Sequence, residues 1–344
     1  MLKGCYTALI TPFVGDEMDR EGLDQLVAFQ IENGARGILA VGTTGESPVL
    51  NWREHKEVTQ MVCRLCKGRV TSIAGTGSNC TRESLEATGH AVECGAEAVL
   101  LVDPYYNGPS SLEIRREYVA PIANAFPDVE VIPYVIPGRS GTQLLPEDLA
   151  LLHAACPNVG TVKEATGDKG NMTRTREVCG EDFVILSGDD DKTFDMMSDP
   201  DIRANGVISV TSNIAPKAVQ QLTECLNAGE REKAERLLHA LKPLFEIVTV
   251  KTEEQTPYGP VTCRARNPLA VKTLMNLLGM PSGPCRPPLG KLTRKGLDVV
   301  LEAARTVQKN APEVFAPIAD FFHVDVEERL HEEVYWRGLC YEGY

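Results

Sequence analysis

Apolar residues in the first 230 positions gather into short runs rich in β-branched side chains, at 6–10, 37–41, 70–74, 98–102, 129–135, 159–163, 183–187 and 206–210. Longer amphipathic segments separate them, near 20–33, 51–66, 81–94, 111–125, 146–154, 170–179 and 191–203. Strand-like and helix-like periods that alternate in this way predict repeated βα units around a parallel sheet, and eight strands favour closure into a (β/α)8 barrel. Several helix ends are legible: Asn51 as a cap, Thr81 with Ser84 as an opening, and Gly95 as a stop.

After Ile214-Ala215-Pro216 the alternation ends, and helices follow one another near 216–227, 230–247, 268–279 and 293–308. The division expected is a catalytic barrel over 1–226, a helical domain over 227–308 and a tail over 309–344. Residues 256–267, with Pro257-Tyr258-Gly259-Pro260, read as a loop. The tail carries Phe315, Phe321, Phe322, Tyr335, Trp336, Tyr341 and Tyr344 among acidic residues. Such a density of aromatics implies docking, on the barrel or on a neighbouring subunit.

Charge narrows the partners. A net charge of -13 with no Lys/Arg block argues against nucleic acid and anionic membranes. No apolar run reaches the roughly 18 residues that would span a bilayer, and no leader-like segment opens the chain. Eleven scattered cysteines read as reduced cytoplasmic thiols, and Cys63 with Cys66 as two cysteines on a helix face.

In a parallel barrel the chemistry sits where strands end. Lys163 closes an apolar segment, and a lysine in apolar surroundings loses affinity for its proton and becomes a nucleophile toward a ketone. Taken alone, such a lysine more often reaches solvent or pairs with its neighbour, here Glu164. Its company changes that reading. The second strand runs into Gly42-Thr43-Thr44-Gly45-Glu46, whose hydroxyls and backbone N–H groups can hold a carboxylate or relay a proton. The fifth places Tyr134 at its end and Arg139 just beyond, a phenol for proton transfer and a guanidinium for a carboxylate. The fourth leads into Asp103-Pro104-Tyr105-Tyr106-Asn107. The seventh ends Ser187-Gly188-Asp189-Asp190-Asp191, where acidic residues that favour a helix start are preferred over a metal site. Gly75-Thr76-Gly77 lacks the third glycine of a dinucleotide fingerprint.

These motifs, with Val162-Lys163-Glu164-Ala165 and Gly206-Val207-Ile208-Ser209-Val210, resemble the pyruvate-dependent class I aldolase family that includes dihydrodipicolinate synthase and N-acetylneuraminate lyase. The likeness runs from about Gly4 to Thr306 and leaves out 256–265 and 309–344. It implies an imine between Lys163 and pyruvate with no separate cofactor and no metal, and a proton relay of Tyr134, Thr44 and Tyr106. Tyr106 would reach a neighbouring subunit's site, so self-association to a dimer of dimers is implied. By the same resemblance Thr43 and Thr44 hold the pyruvate carboxylate, Gly188 and Ile208 line its pocket, and Arg139 holds the carboxylate of the aldehyde. Ser47, Trp52, His55, Asn79, Glu83 and Tyr105 resemble positions that bind lysine as a feedback inhibitor.

The second threonine, the Tyr105-Tyr106 pair and Arg139 favour condensation of pyruvate with L-aspartate 4-semialdehyde. Val135, where such synthases usually carry asparagine, leaves open a lyase acting on a sugar acid or a hydroxyproline-derived aldehyde. A non-catalytic 2-oxo-acid sensor is a third reading, disfavoured by the intact set around Lys163.

Overall fold

A computed structural model describes all 344 residues. Eight parallel strands close into a barrel: β1 Gly4–Ala8, β2 Gly37–Ala40, β3 Thr71–Gly75, β4 Ala98–Val102, β5 Glu130–Val135, β6 Thr161–Glu164, β7 Val184–Ser187 and β8 Gly206–Ser209. Each pairs with its sequence neighbours, and β1 joins both β2 and β8. At the β1–β8 seam Gly206 faces Gly4 so closely that a Cβ on Gly206 would meet the Gly4 carbonyl oxygen at 2.0 Å. All eight strands fall where the apolar runs predict, within a few residues.

The alternation within each strand sorts side chains into two layers. Tyr6, Ala8, Leu39, Ile73, Leu100, Ile132, Tyr134, Leu186 and Ile208 fill the interior of the barrel. Val99, Leu101, Val131, Val135, Val162 and Ile185 point outward into a second cluster under the helices.

Around the strands lie α1 Arg20–Glu32, α2 Trp52–Cys66, α3 Thr81–Glu93, a helical run α4 over 111–125, α5 Pro146–Ala155, α6 Lys169–Cys179 and α7 Thr193–Ser198. α4 contains a π-helical segment at Ile114–Val119. Asn51 caps α2 in a reciprocal box with Glu54, as the pattern predicts. The opening of α3 differs from expectation. Its cap position is Cys80, while the Thr81 hydroxyl donates to the Glu117 carbonyl oxygen and that of Ser84 to the Tyr118 hydroxyl. Both hydroxyls are drawn to the neighbouring helix, a tertiary contact that local sequence does not show.

The C-terminal part holds α8 Pro216–Asn227, α9 Arg231–Glu246, α10 Leu269–Leu277 and α11 Arg294–Asn310. Between α9 and α10 the expected loop is instead an antiparallel hairpin, β9 Thr249–Thr256 with β10 Gly259–Arg266, in which Lys251 stands opposite Arg264 and Thr249 opposite Arg266. A β signal is present in Thr249, Val250, Thr252, Thr256, Val261 and Thr262, but the faces are too polar to register as a strand pair. What holds the hairpin is remote. Val250 is buried in the main core, Thr252 meets the Thr293 hydroxyl at 3.2 Å, and Lys295 donates to the Glu253 carbonyl oxygen at 2.5 Å.

The tail folds back onto its own chain through α12 Ala316–Phe322 and α13 Val326–His331. Phe315, Ile318, Val326, Leu330 and Trp336 enter the main core, and Phe29 of α1 packs against the rings of Phe321 and Phe322 at 5.4 and 5.2 Å. Arg329 donates to the last carbonyl oxygens of α10, at Leu277 (2.6 Å) and Asn276 (3.2 Å), and so closes that helix end. No helix is long and apolar enough to cross a membrane.

Candidate active site

At the C-terminal mouth of the barrel a cavity of about 220 Å³ is walled by Thr43, Thr44, Tyr134, Arg139, Lys163 and Gly188. Lys163 comes from β6 and Tyr134 from the adjoining β5, where the two are partners in register. The Lys163 amine lies 4.0 Å from the centre of the Tyr134 ring, and both side chains are buried, at 5% and 4% exposure. Burial lowers the proton affinity of the amine from its ordinary 10.5 to about 8, although the Asp189 and Asp190 carboxylates oppose the shift. The Tyr134 phenol moves the other way, its loss of a proton disfavoured by burial.

Room for the lysine depends on Gly188. A Cβ there would lie 2.8 Å from the Ala165 Cβ and 3.2 Å from the Lys163 Cε, so any larger residue presses on the nucleophile.

The Thr43-Thr44 turn is clamped from the helical part of the chain. Glu46, in left-handed conformation at φ 57, pairs with the fully buried Lys272 of α10 at 2.7 Å, and its second oxygen accepts from the Arg286 backbone N–H at 2.9 Å. Lys272 also donates to the carbonyl oxygens of Thr11 (3.0 Å) and Pro284 (2.9 Å). The side-chain amide of Asn267 donates to the Thr44 hydroxyl oxygen at 2.9 Å, which leaves the hydroxyl proton free to be given to a ligand.

The three aspartates after β7 have separate roles. Asp190 is buried and accepts from the Ser209 hydroxyl and from the Val210 (2.9 Å) and Thr211 (3.0 Å) backbone N–H groups. Asp191 pairs with Lys192 at 3.1 Å. Asp189 borders the cavity beside Lys163.

Some expected residues lie elsewhere. Ile208 belongs to the packed interior of the barrel and does not wall the cavity. Tyr106 stands on the loop after β4, 85% exposed and outside the cavity of its own chain. Val135 faces the outer cluster on the opposite side of β5 from Tyr134, so its departure from asparagine does not alter the cavity wall.

The set assigned to lysine by resemblance falls on α2, α3 and their leading loops. Trp52, 44% exposed, packs on His55 at 5.2 Å, and burial lowers the His55 imidazole to about 4, so it is neutral. Ser47 lies on the turn before α2. Asn79 accepts from the backbone N–H of Tyr105 (2.7 Å) and Tyr106 (3.1 Å), and Glu83 from the Ser78 hydroxyl at 2.5 Å. Asn79 thus fixes the double-tyrosine loop. Cys63 and Cys66 are buried thiols whose proton affinity burial raises to about 11 and about 12, the inert state expected of helix-face cysteines.

The cavity also takes Asn267, Arg264 and Arg266, which the strand-end search does not reach. They arrive from the hairpin and the start of α10, far from any barrel strand. A basic pair at alternate positions of a β-branched segment is the one signal that would have found them.

Comparison with known proteins places the chain. Residues 1–307 match the Dihydrodipicolinate synthetase family. The 4-hydroxy-tetrahydrodipicolinate synthases of Methanococcus maripaludis and Geobacter sulfurreducens are 39% and 42% identical to it, each over 84% of this chain and over 92% and 93% of their own lengths. Among solved structures, dihydrodipicolinate synthase from Aquifex aeolicus superposes with a TM-score of 0.81 at 33% identity, covering 92% of this chain and 100% of that one. The enzyme from Cyanidioschyzon merolae, solved with lysine bound, gives 0.80 at 35% identity, covering 89% and 98%. With a barrel, a buried strand-end lysine and this extent of likeness together, the chain belongs to the dihydrodipicolinate synthetase family.

Proposed function

We propose that this chain is a Schiff-base aldolase that condenses pyruvate with L-aspartate 4-semialdehyde to 4-hydroxy-tetrahydrodipicolinate. The observation that carries the reading is Lys163, buried and with its amine held near about 8, beside Tyr134 in a cavity that also presents Thr43, Thr44 and Arg139. At neutral pH about one amine in ten is then unprotonated, against fewer than about one in a thousand for an ordinary lysine.

The neutral amine adds to the C2 carbonyl of pyruvate, and loss of water leaves the imine. The Tyr134 phenol, still protonated at neutral pH, supplies the proton that lets the hydroxyl depart and takes one back in the next step. Thr44 passes protons along the same line, and the Thr43-Thr44 turn accepts the pyruvate carboxylate. Loss of a methyl proton gives the enamine, whose carbon attacks the aldehyde while Arg139 holds the aldehyde's carboxylate. Transimination by the substrate amine then closes the ring and returns Lys163 as free amine.

Tyr106 fits the relay as a group donated to a neighbouring copy, since in its own chain it projects into solvent; this supports a dimer and, by pairing of dimers, a tetramer. Trp52, His55, Asn79 and Glu83, with Ser47 and Tyr105, support a lysine site in which Glu83 meets an ammonium group and Trp52 covers an alkyl chain. Eleven free thiols suit a reducing cytoplasm.

The test is borohydride reduction in the presence of pyruvate, followed by intact and peptide mass measurement. A reduced pyruvate adduct on Lys163 is expected, and an unmodified Lys163 refutes the mechanism. A coupled assay with aspartate semialdehyde, with and without lysine, tests substrate and feedback, and an initial rate indifferent to lysine removes the inhibitory site.

A further inference from the structure

Arg264 and Arg266 stand two residues apart on β10 and therefore on one face of the hairpin. Cys263 and Ala265 take the other face, where Ala265 packs against the main core. Both guanidinium-bearing residues wall the same cavity as Lys163, and so does Arg139 from the fifth strand's loop. Three guanidiniums thus converge on one small space.

None of the three has a carboxylate oxygen within 4.0 Å. The single side-chain hydrogen bond among them runs from Arg139 to the Asn267 carbonyl oxygen, at 3.5 Å. The acidic groups bordering the cavity are otherwise engaged: Asp190 with β8 and the turn after it, Asp191 with Lys192, and Asp189 with the field of Lys163. Mutually repelling cations fixed side by side and left unpaired are matched by an anion that arrives from solution.

Resting on the aldolase reading above, we propose that Arg264 and Arg266 bind the carboxylate of the incoming aldehyde together with Arg139, so that the hairpin is a specificity element for the second substrate. Pyruvate is held separately, by the imine and the Thr43-Thr44 turn. The hairpin's back face is fastened to the start of α11 through Thr293 and Lys295, which holds both guanidiniums in place rather than leaving them on a free loop. A carboxylate shared among several guanidiniums can accept two-pronged contacts from more than one direction, which selects a carboxylate at a set distance from the aldehyde carbon.

The experiment uses the full chain and compares R264Q, R266Q and the double substitution with K251Q. Lys251 is an exposed cation on the same hairpin that does not line the cavity. Each single substitution is expected to raise the KM for aspartate semialdehyde about tenfold to a hundredfold, with the KM for pyruvate and the rate of borohydride trapping on Lys163 within twofold of the unsubstituted protein. R266K is expected to recover only part of the loss, since an ammonium keeps the charge without the fork. K251Q is expected to change nothing. Unchanged aldehyde KM in the double substitution, or an equal rise in K251Q, overturns the proposal; the first denies the contact and the second reduces it to the general field of the hairpin. A variant that also fails to trap pyruvate has lost its fold or its nucleophile, and R266K then decides, because aldehyde KM at the unsubstituted value with trapping intact also overturns the assignment. Absence of trapping in the unsubstituted protein strikes the aldolase reading instead.

Discussion

Replacing Lys163 by methionine removes the nucleophile and keeps an unbranched side chain of similar length in the barrel interior. Burial holds the amine near about 8 instead of 10.5, and each tenfold in proton affinity is worth about 1.4 kcal/mol, so keeping Lys163 protonated costs the folded state about 3 kcal/mol. Because the folded protein binds this proton more weakly than the unfolded chain, the cost is fully present below the folded value of about 8. It fades as pH rises from there toward 10.5, where the unfolded lysine also loses its proton. The Lys163→Met protein is therefore expected to be more stable than its parent at neutral pH by about 3 kcal/mol, and this advantage is expected to shrink steadily across alkaline pH. Urea unfolding of both proteins, followed by circular dichroism at several pH values without pyruvate, measures the difference, in which groups common to both chains largely cancel. A difference independent of pH refutes the reasoning, as does a methionine variant less stable than its parent at neutral pH. Either result means that the folded site holds the lysine proton as firmly as water does.

The same amine predicts that the rate constant for borohydride-trapped imine formation at low pyruvate rises with pH and levels off above about 8; a profile flat from pH 6 to 9 counts against a titrating nucleophile. Glu46→Gln leaves the buried Lys272 ammonium without its counter-charge and is expected to cost about 3–5 kcal/mol, read as a lowered urea midpoint. Adding Lys272→Met should restore most of that loss, and a double variant as unstable as the single one contradicts the ion-pair account. Gly188→Ala forces a Cβ to 3.2 Å from the Lys163 Cε. It is expected to slow imine trapping at least tenfold at a stability cost of about 1–3 kcal/mol, whereas unchanged trapping shows that the lysine has space to spare.

Much of the molecule is present in local pattern. Eight apolar runs and the helices between them specify the barrel, because each strand needs one face for the interior and one for the surrounding helices, and that requirement is written residue by residue. Lys163, Tyr134, Thr43, Thr44 and Arg139 are legible for a related reason: a parallel barrel puts every strand end at one mouth, so position along the chain already implies proximity.

Tertiary structure alone decided what depends on partners far apart in sequence. The hairpin over 249–266 is too polar to announce itself and exists because Val250, Thr252 and Lys295 anchor it to distant elements. Arg264 and Arg266 reach the mouth only through that anchoring. The orientation of Val135, the clamp of Lys272 on Glu46, and the choice of the tail to pack against α1, α10 and α11 of its own chain are likewise set by side-chain contacts across the fold. Periodicity determines which face of an element is apolar; which surface meets that face, and which charge meets which, follows from packing in three dimensions.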